Sequence, residues 1–274
     1  MPDTTNQNGQ FNPLHAAHAI EQVMLTLQFD QPVDNAIFGR VREAAGQFRQ
    51  ELPGEAEIHG LTFPFGPDVR PPINSGISFR RAEPDGTVGQ ELRVDRTSLS
   101  FITTRYTRWN EFWTQASRYF NVLAPIYAGH ARLAGVGCTY VDKFVWSGNT
   151  VNCRPALLLR GDSKYICPHV FTADDLWHSY TGAFIRVDRN TKRLLNVNVD
   201  HTDELRLGET RRIVAITTVL SDQLNQAGYD PCTVTPDTVT DFINTRIQAL
   251  HVFSKVVFGN IINDTMSRRI ALIE

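Results

Sequence analysis

The chain has 274 residues, 42% of them hydrophobic and 20% charged, with a formal net charge of −2. That is a globular balance, long enough to bury a large core without disulfide or metal staples, and it offers no bulk positive field to draw in nucleic acid except through a localised patch. No run reaches the roughly 18 apolar residues of a membrane helix, and the opening "MPDTTNQNGQFNP" has neither the basic nor the apolar region of a signal peptide.

Residues 1–18, rich in Asn, Gln, Thr and His, read as a flexible tail ahead of one domain spanning 19–274, made of halves at about 19–147 and 148–274. From Val23 to Phe29 apolar residues alternate, the period of a half-buried strand. Val33, Ile37, Val41, Ala44, Ala45 and Phe48 then recur at helical spacing up to Pro53-Gly54. "EIHGLTFPF" predicts a second strand, with Pro64 marking an edge or an end. A Pro/Gly-rich stretch follows, holding a short strand "GISFRR" and a tight turn at "EPDGT", where Asp-Gly supplies a positive φ. "QELRVDRTSLSFITT" reads as a hairpin or bent strand, broken by a turn at Asp95–Ser98, and a helix covers Trp109 to Tyr127. Its aromatic stripe predicts a packing seam against the returning strand "RLAGVGCTYVDKFVW".

In the second half "VFTADDLWHSY" suggests a turn of helix, before strands at "GAFIRVD", "RLLNVNVD" and "RRIVAITTVL". Thr235, Pro236 and Asp237 have the chemistry of N-cap, first turn and dipole partner for a helix whose stripe runs from Val239 through Leu250 to Val257. A short helix follows Asn263-Asp264. Helices interrupt groups of strands without regular βα alternation. The expected fold is therefore α+β, a largely antiparallel sheet with two or three long helices on it, with strand–helix–strand pieces that suggest split βαβ, ferredoxin-like halves.

The motifs of nucleotide phosphate binding, of the serine nucleophile elbow and of zinc proteases are absent. Cys167, His169 and His178 are the residues best suited to a metal, but no second pair of ligands stands at useful spacing, and no cofactor is indicated. The four cysteines, Cys138, Cys153, Cys167 and Cys232, are scattered like reduced thiols of a cytoplasmic protein. "DHTDE" at 200–204 gathers carboxylates around His201, which suits either acid–base work or an ordinary hairpin connection. Arg186, Lys192 and Arg193, with nearby aromatics, could pair phosphate contacts with base stacking, although Asp162, Asp174, Asp175 and Asp188 dilute the patch.

Four stretches resemble a sporadically distributed family of uncharacterised bacterial proteins of about this length. They are "AIEQV" near the N-terminus, Tyr-x-x-Trp at Tyr106 and Trp109, "GCTYVDKF" carrying Tyr140 and Asp142, and the late helix "ALHVFSKVVF" with His251 and Phe258. The chain departs from the family pattern in lacking a proline near Ala19-Ile20, in having Thr139 for Arg, and in having Asp142 for Asn. The resemblance implies no catalytic residues, and the family's patchy occurrence would suit a mobile defence or toxin–antitoxin locus. The reading that follows is a non-enzymatic cytoplasmic binding or adaptor protein with protein partners and no membrane contact. Its binding residues would be Tyr106, Trp109, Tyr140 and Asp142. The alternative is an RNA- or DNA-binding module using Arg186, Lys192 and Arg193.

Overall fold

The computed structural model describes residues 9–59, 74–206 and 208–272. Their strands are β1 (Phe11–Pro13), β2 (Ile20–Phe29), β3 (Gly54–His59), β4 (Asn74–Ala82), β5 (Val88–Asp95), β6 (Ser98–Thr103), β7 (Leu133–Trp146), β8 (Trp177–Arg186), β9 (Thr191–Arg206) and β10 (Glu209–Leu224). All ten join one sheet in the order β3-β4-β5-β6-β2-β7-β10-β9-β8, with β1 beside the far end of β7. Every pairing is antiparallel. Helices α1 (Asn35–Ala45), α2 (Trp109–Ala128), α3 (Val239–Gly259) and α4 (Asp264–Arg269) complete the fold.

Side-chain alternation sorts the sheet into two faces. Leu25 of β2, Cys138 of β7 and Leu220 of β10 lie opposite one another across three strands, and all are buried under the helices. The other face presents Thr26, Ser100, Gly137 and Ser221, small and polar residues suited to a face that no helix covers among the described residues. The central α2 buries Phe112, Ala116, Tyr119, Phe120 and Leu123, residues at helical spacing. Phe112 stacks on Phe101 of β6, while Tyr119 meets Phe101 and Phe48 edge to face.

The α+β, antiparallel expectation holds. Around β2 a strand–helix–strand unit does form, because β6 and β7 flank it and α2 joins them. The second half has no counterpart: β8, β9 and β10 form a meander, and no strand follows α3 among the described residues. Two ferredoxin-like halves are therefore not what the connections show. The turn at 83–87 is as expected, with Gly86 at φ +85° and the Glu83 N–H donating to the Thr87 carbonyl at 2.8 Å.

Several boundaries differ from the sequence reading. Residues 11–13 are not a free tail; they pair with Phe144–Trp146, and Phe11 is buried edge-on against Trp146. A polar composition hid one apolar anchor. The strand expected over "EIHGLTFPF" begins at Gly54, and its part beyond His59 lies outside the described residues. The helical turn expected in "VFTADDLWHSY" is a 3-10 turn at Pro168–Phe171, and Trp177–Tyr180 already belongs to β8. Helix α3 starts at Val239 rather than beside Thr235, whose carbonyl instead accepts the Val239 N–H in a preceding turn.

Candidate functional site

Six separated stretches, the last of them Ile270 to Leu272, close on one cavity of about 290 Å³ between the helix-covered sheet face and α3. Alternation in β7 turns Tyr140 and Asp142 to the same side, Thr218 of β10 stands opposite Tyr140, and Ile20 of β2 stands opposite Asp142. The link from β6 into α2 contributes Tyr106 and Arg108, and α2 opens with Trp109. Helix α3 adds His251, Ser254, Lys255 and Phe258, one helical face at three- and four-residue spacing. Tyr106, Trp109, Tyr140 and Asp142, which the sequence picks out, are thus brought together.

Asp142 decides the character of the site. It is 5% exposed and no side-chain hydrogen bond reaches it among the described residues. Burial pushes its carboxyl up to about 8 from an ordinary 3.8. The Thr218 hydroxyl, also buried, has no partner either. His18 Nδ1, in the same cavity, is a third; buried polar groups are nearly always paired, so open ones gathered in one cavity need a reason.

The walls are better satisfied. The His251 ring stacks on Trp109 at 3.8 Å between centroids, and its Nδ1 lies 3.0 Å from the Tyr140 hydroxyl. Burial, aided by Lys255, pushes His251 down to about 4, leaving the ring neutral at physiological pH. Tyr106 is raised to about 12 by burial and meets His18 edge-on. His18 itself is held below its usual range by burial, with His15 and Arg108 adding to it.

The aromatic seam is partly a surprise. Phe112, Tyr119 and Phe120 pack toward the sheet, but Trp109 and Trp113 turn to α3, donating from Nε1 to Gln248 at 3.0 Å and Asn244 at 3.2 Å. Sequence patterning marked His251 through its motif but missed Thr218 and Ser254. Ser254 carried a signal, a small polar residue inside the buried stripe of α3.

The remaining candidates do not converge. Arg193 faces the helices and is locked to Asp222 at 2.6 Å, both side chains buried. Arg186 and Lys192 pair across β8 and β9 on the opposite face; Arg186 lies over Tyr229 and Lys192 over Phe184, each at 4.1 Å. Alternation splits "DHTDE": His201 and Asp203 face the helix side, while Glu204 turns away to Lys143. His201 instead meets the buried Cys153 thiol at 3.5 Å. Cys167 gives its N–H to Ser179, whereas His178 points to the opposite face of β8, beside Tyr180. His169 is exposed on the intervening 3-10 turn, and among the described residues no three His, Cys, Asp or Glu side chains gather as a metal site would need. No helix among them is long and apolar enough to cross a membrane.

No protein-family model matches this chain, and no curated protein matches it either.

Proposed function

We propose that this chain is a cytoplasmic, non-enzymatic binding protein whose ligand site is the cavity around Asp142, and that it acts through other proteins rather than by turning over a substrate. One observation carries the reading: a buried carboxyl, with no hydrogen-bond partner among the described residues, sits in a cavity walled by Tyr106, Tyr140 and Phe258. Such concave, mostly apolar pockets with a few open polar groups are where small ligands bind. Catalysis is less well supported, because no Ser, Cys, His or Lys is hydrogen-bonded to Asp142 among the described residues. The nearest imidazole, His251, is stacked on Trp109 with its Nδ1 beside Tyr140. The four free cysteines suit a reducing compartment. All four stretches behind the family resemblance line this cavity, through Ile20, Tyr106, Asp142 and His251.

The test is native mass spectrometry of the full chain purified gently from its own host, beside an Ile20→Trp variant that fills the cavity. The wild type should carry a bound molecule or partner, or be stabilised by the small-molecule fraction of the host extract, and the filled variant should not. Indifference of both proteins to the extract, with bare masses, refutes the reading.

The nucleic-acid alternative draws on a different observation. Tyr180 and Phe184 are each 59% exposed on the uncovered sheet face, with Lys192 beside Phe184. Exposed aromatics next to cations suit base stacking. Binding of single-stranded RNA that weakens with salt and disappears in Phe184→Ala would favour it; binding indifferent to salt would exclude it.

A further inference from the structure

The floor of the cavity holds an acid and its mouth two bases, and among the described residues the protein pairs neither. Elsewhere its buried ions are matched: Arg193 with Asp222, and Lys143 between Glu21 and Glu204. At the floor the Asp142 carboxyl and the Thr218 hydroxyl have no hydrogen-bond partner among the described residues. At the mouth two exposed cations, Arg108 and Lys255, form no ion pair among the described residues; Arg108 reaches only the Ala17 carbonyl, at 3.2 Å. Neither cation offsets the floor, since burial alone governs the Asp142 carboxyl. Between floor and mouth stand the rings of Tyr106, Tyr140 and Phe258. Trp109 also lines the cavity, with its faces turned to His251 and Trp113.

A ligand complementary to this arrangement is dipolar in the opposite sense. Resting on the reading of the cavity as a ligand site, we propose that its ligand is a small zwitterion: an organic ammonium that enters nitrogen first, meets Asp142 and Thr218 between the tyrosine rings, and leaves an anionic group at Arg108 and Lys255. The ammonium supplies the donors that the carboxylate and the hydroxyl lack. It also lies against ring faces, which attract cations most when water is excluded. The outer anion finds two cations with no competing carboxylate. A plain amine would leave the rim unused, and a plain carboxylate held at the rim would leave the Asp142 carboxyl without a partner.

Proton linkage follows. Asp142 is largely protonated at neutral pH in the empty cavity, so an ammonium that binds its ionised form must displace that proton. The other titratable groups facing it are His18 and Tyr106 from the links, Tyr140 from β7, and His251 and Lys255 from α3, with Arg108 always charged. Burial holds both histidines below their ordinary range and both tyrosines above theirs, so none of them titrates alongside Asp142 near neutrality.

The experiment is calorimetric titration of the full chain with ω-amino acids from γ-aminobutyrate to ε-aminohexanoate, alkylamines of matching length, and the matching alkanoates. The best amino acid should bind at least about tenfold more tightly than its amine or its alkanoate, one interaction of roughly 1.4 kcal/mol being a factor of ten. Its affinity should rise about tenfold per pH unit between about pH 6 and pH 7.5, with release of one proton. Asp142→Asn should abolish both the binding and the proton release. Lys255→Gln, on the exposed rim, should weaken the amino acids while sparing the alkylamines. Alkanoates binding as well as amino acids, no probe binding at all, or binding unchanged in Asp142→Asn would overturn the ligand class. If the host extract still stabilises wild type but not Ile20→Trp, only the zwitterion is refuted; if it does neither, the pocket reading falls with it.

Discussion

Replacing Asp142 by Asn should stabilise the protein, and increasingly so as pH rises. The folded carboxyl titrates near 8, against 3.8 when unperturbed, so folding takes up a proton at every pH between those values. Stability from the neutral carboxyl is complete below the lower value and is lost as pH climbs through the upper one. At about 1.36 kcal/mol per pH unit, the loss between about pH 5 and pH 8 is roughly 4 kcal/mol. That is an upper figure, because water entering the cavity solvates the carboxylate and softens the penalty. Asn has the same shape and no proton to lose. The stability difference between the variant and the wild type should therefore grow by up to that amount over the interval, while the other titrations cancel. Urea unfolding of both ligand-free proteins, followed by tryptophan fluorescence at matched pH values, measures it. A difference that stays flat to within about 1 kcal/mol would mean that Asp142 is ionised and well solvated in the folded chain, and the account of the cavity floor would be wrong.

Other perturbations test the frame around the site. Arg193→Ala leaves Asp222, fully buried, with only Arg246 at 3.8 Å, and should cost about 3 kcal/mol in urea unfolding; a loss under about 1 kcal/mol would show that Arg246 or water replaces the bidentate pair. Phe101→Ala removes a fully buried ring from between Phe112 and Tyr119 and should cost about 3–5 kcal/mol by the same assay. Asp34→Ala deletes the N-cap of α1, whose carboxylate accepts the Ile37 N–H at 2.9 Å, and should cost about 1 kcal/mol; an unchanged midpoint would argue against the cap. Burial raises the Cys138 thiol to about 12 and the Cys153 thiol to about 11, so neither should react with a disulfide reagent at neutral pH until the chain unfolds. Rapid labelling of either in the native protein would contradict that placement.

What the sequence determined by itself was local. Two-residue alternation marked β2, because one face of that strand meets the core. Helical spacing marked α2 and α3 for the same reason. Asp-Gly marked the turn at Gly86, since few other residues accept a positive φ. Tyr106, Trp109, Tyr140 and Asp142 were legible as candidates from their short motifs. What only the tertiary structure decided was which faces meet. Register placed Thr218 beside Tyr140, and helix packing laid His251 on Trp109, pairings between residues far apart in the chain that no local pattern encodes. The same cause turned Trp109 and Trp113 toward α3 instead of the sheet, and tied Phe11 to Trp146 out of a stretch that looks like a loose tail. It also buried Arg193 against Asp222, which a list of basic residues counts as free charge. Asp142 shows the division most plainly. The sequence says that an acidic residue sits in an apolar strand, but only the packing of distant stretches around it leaves that carboxyl buried, without a hydrogen-bond partner among the described residues, and open to a cavity.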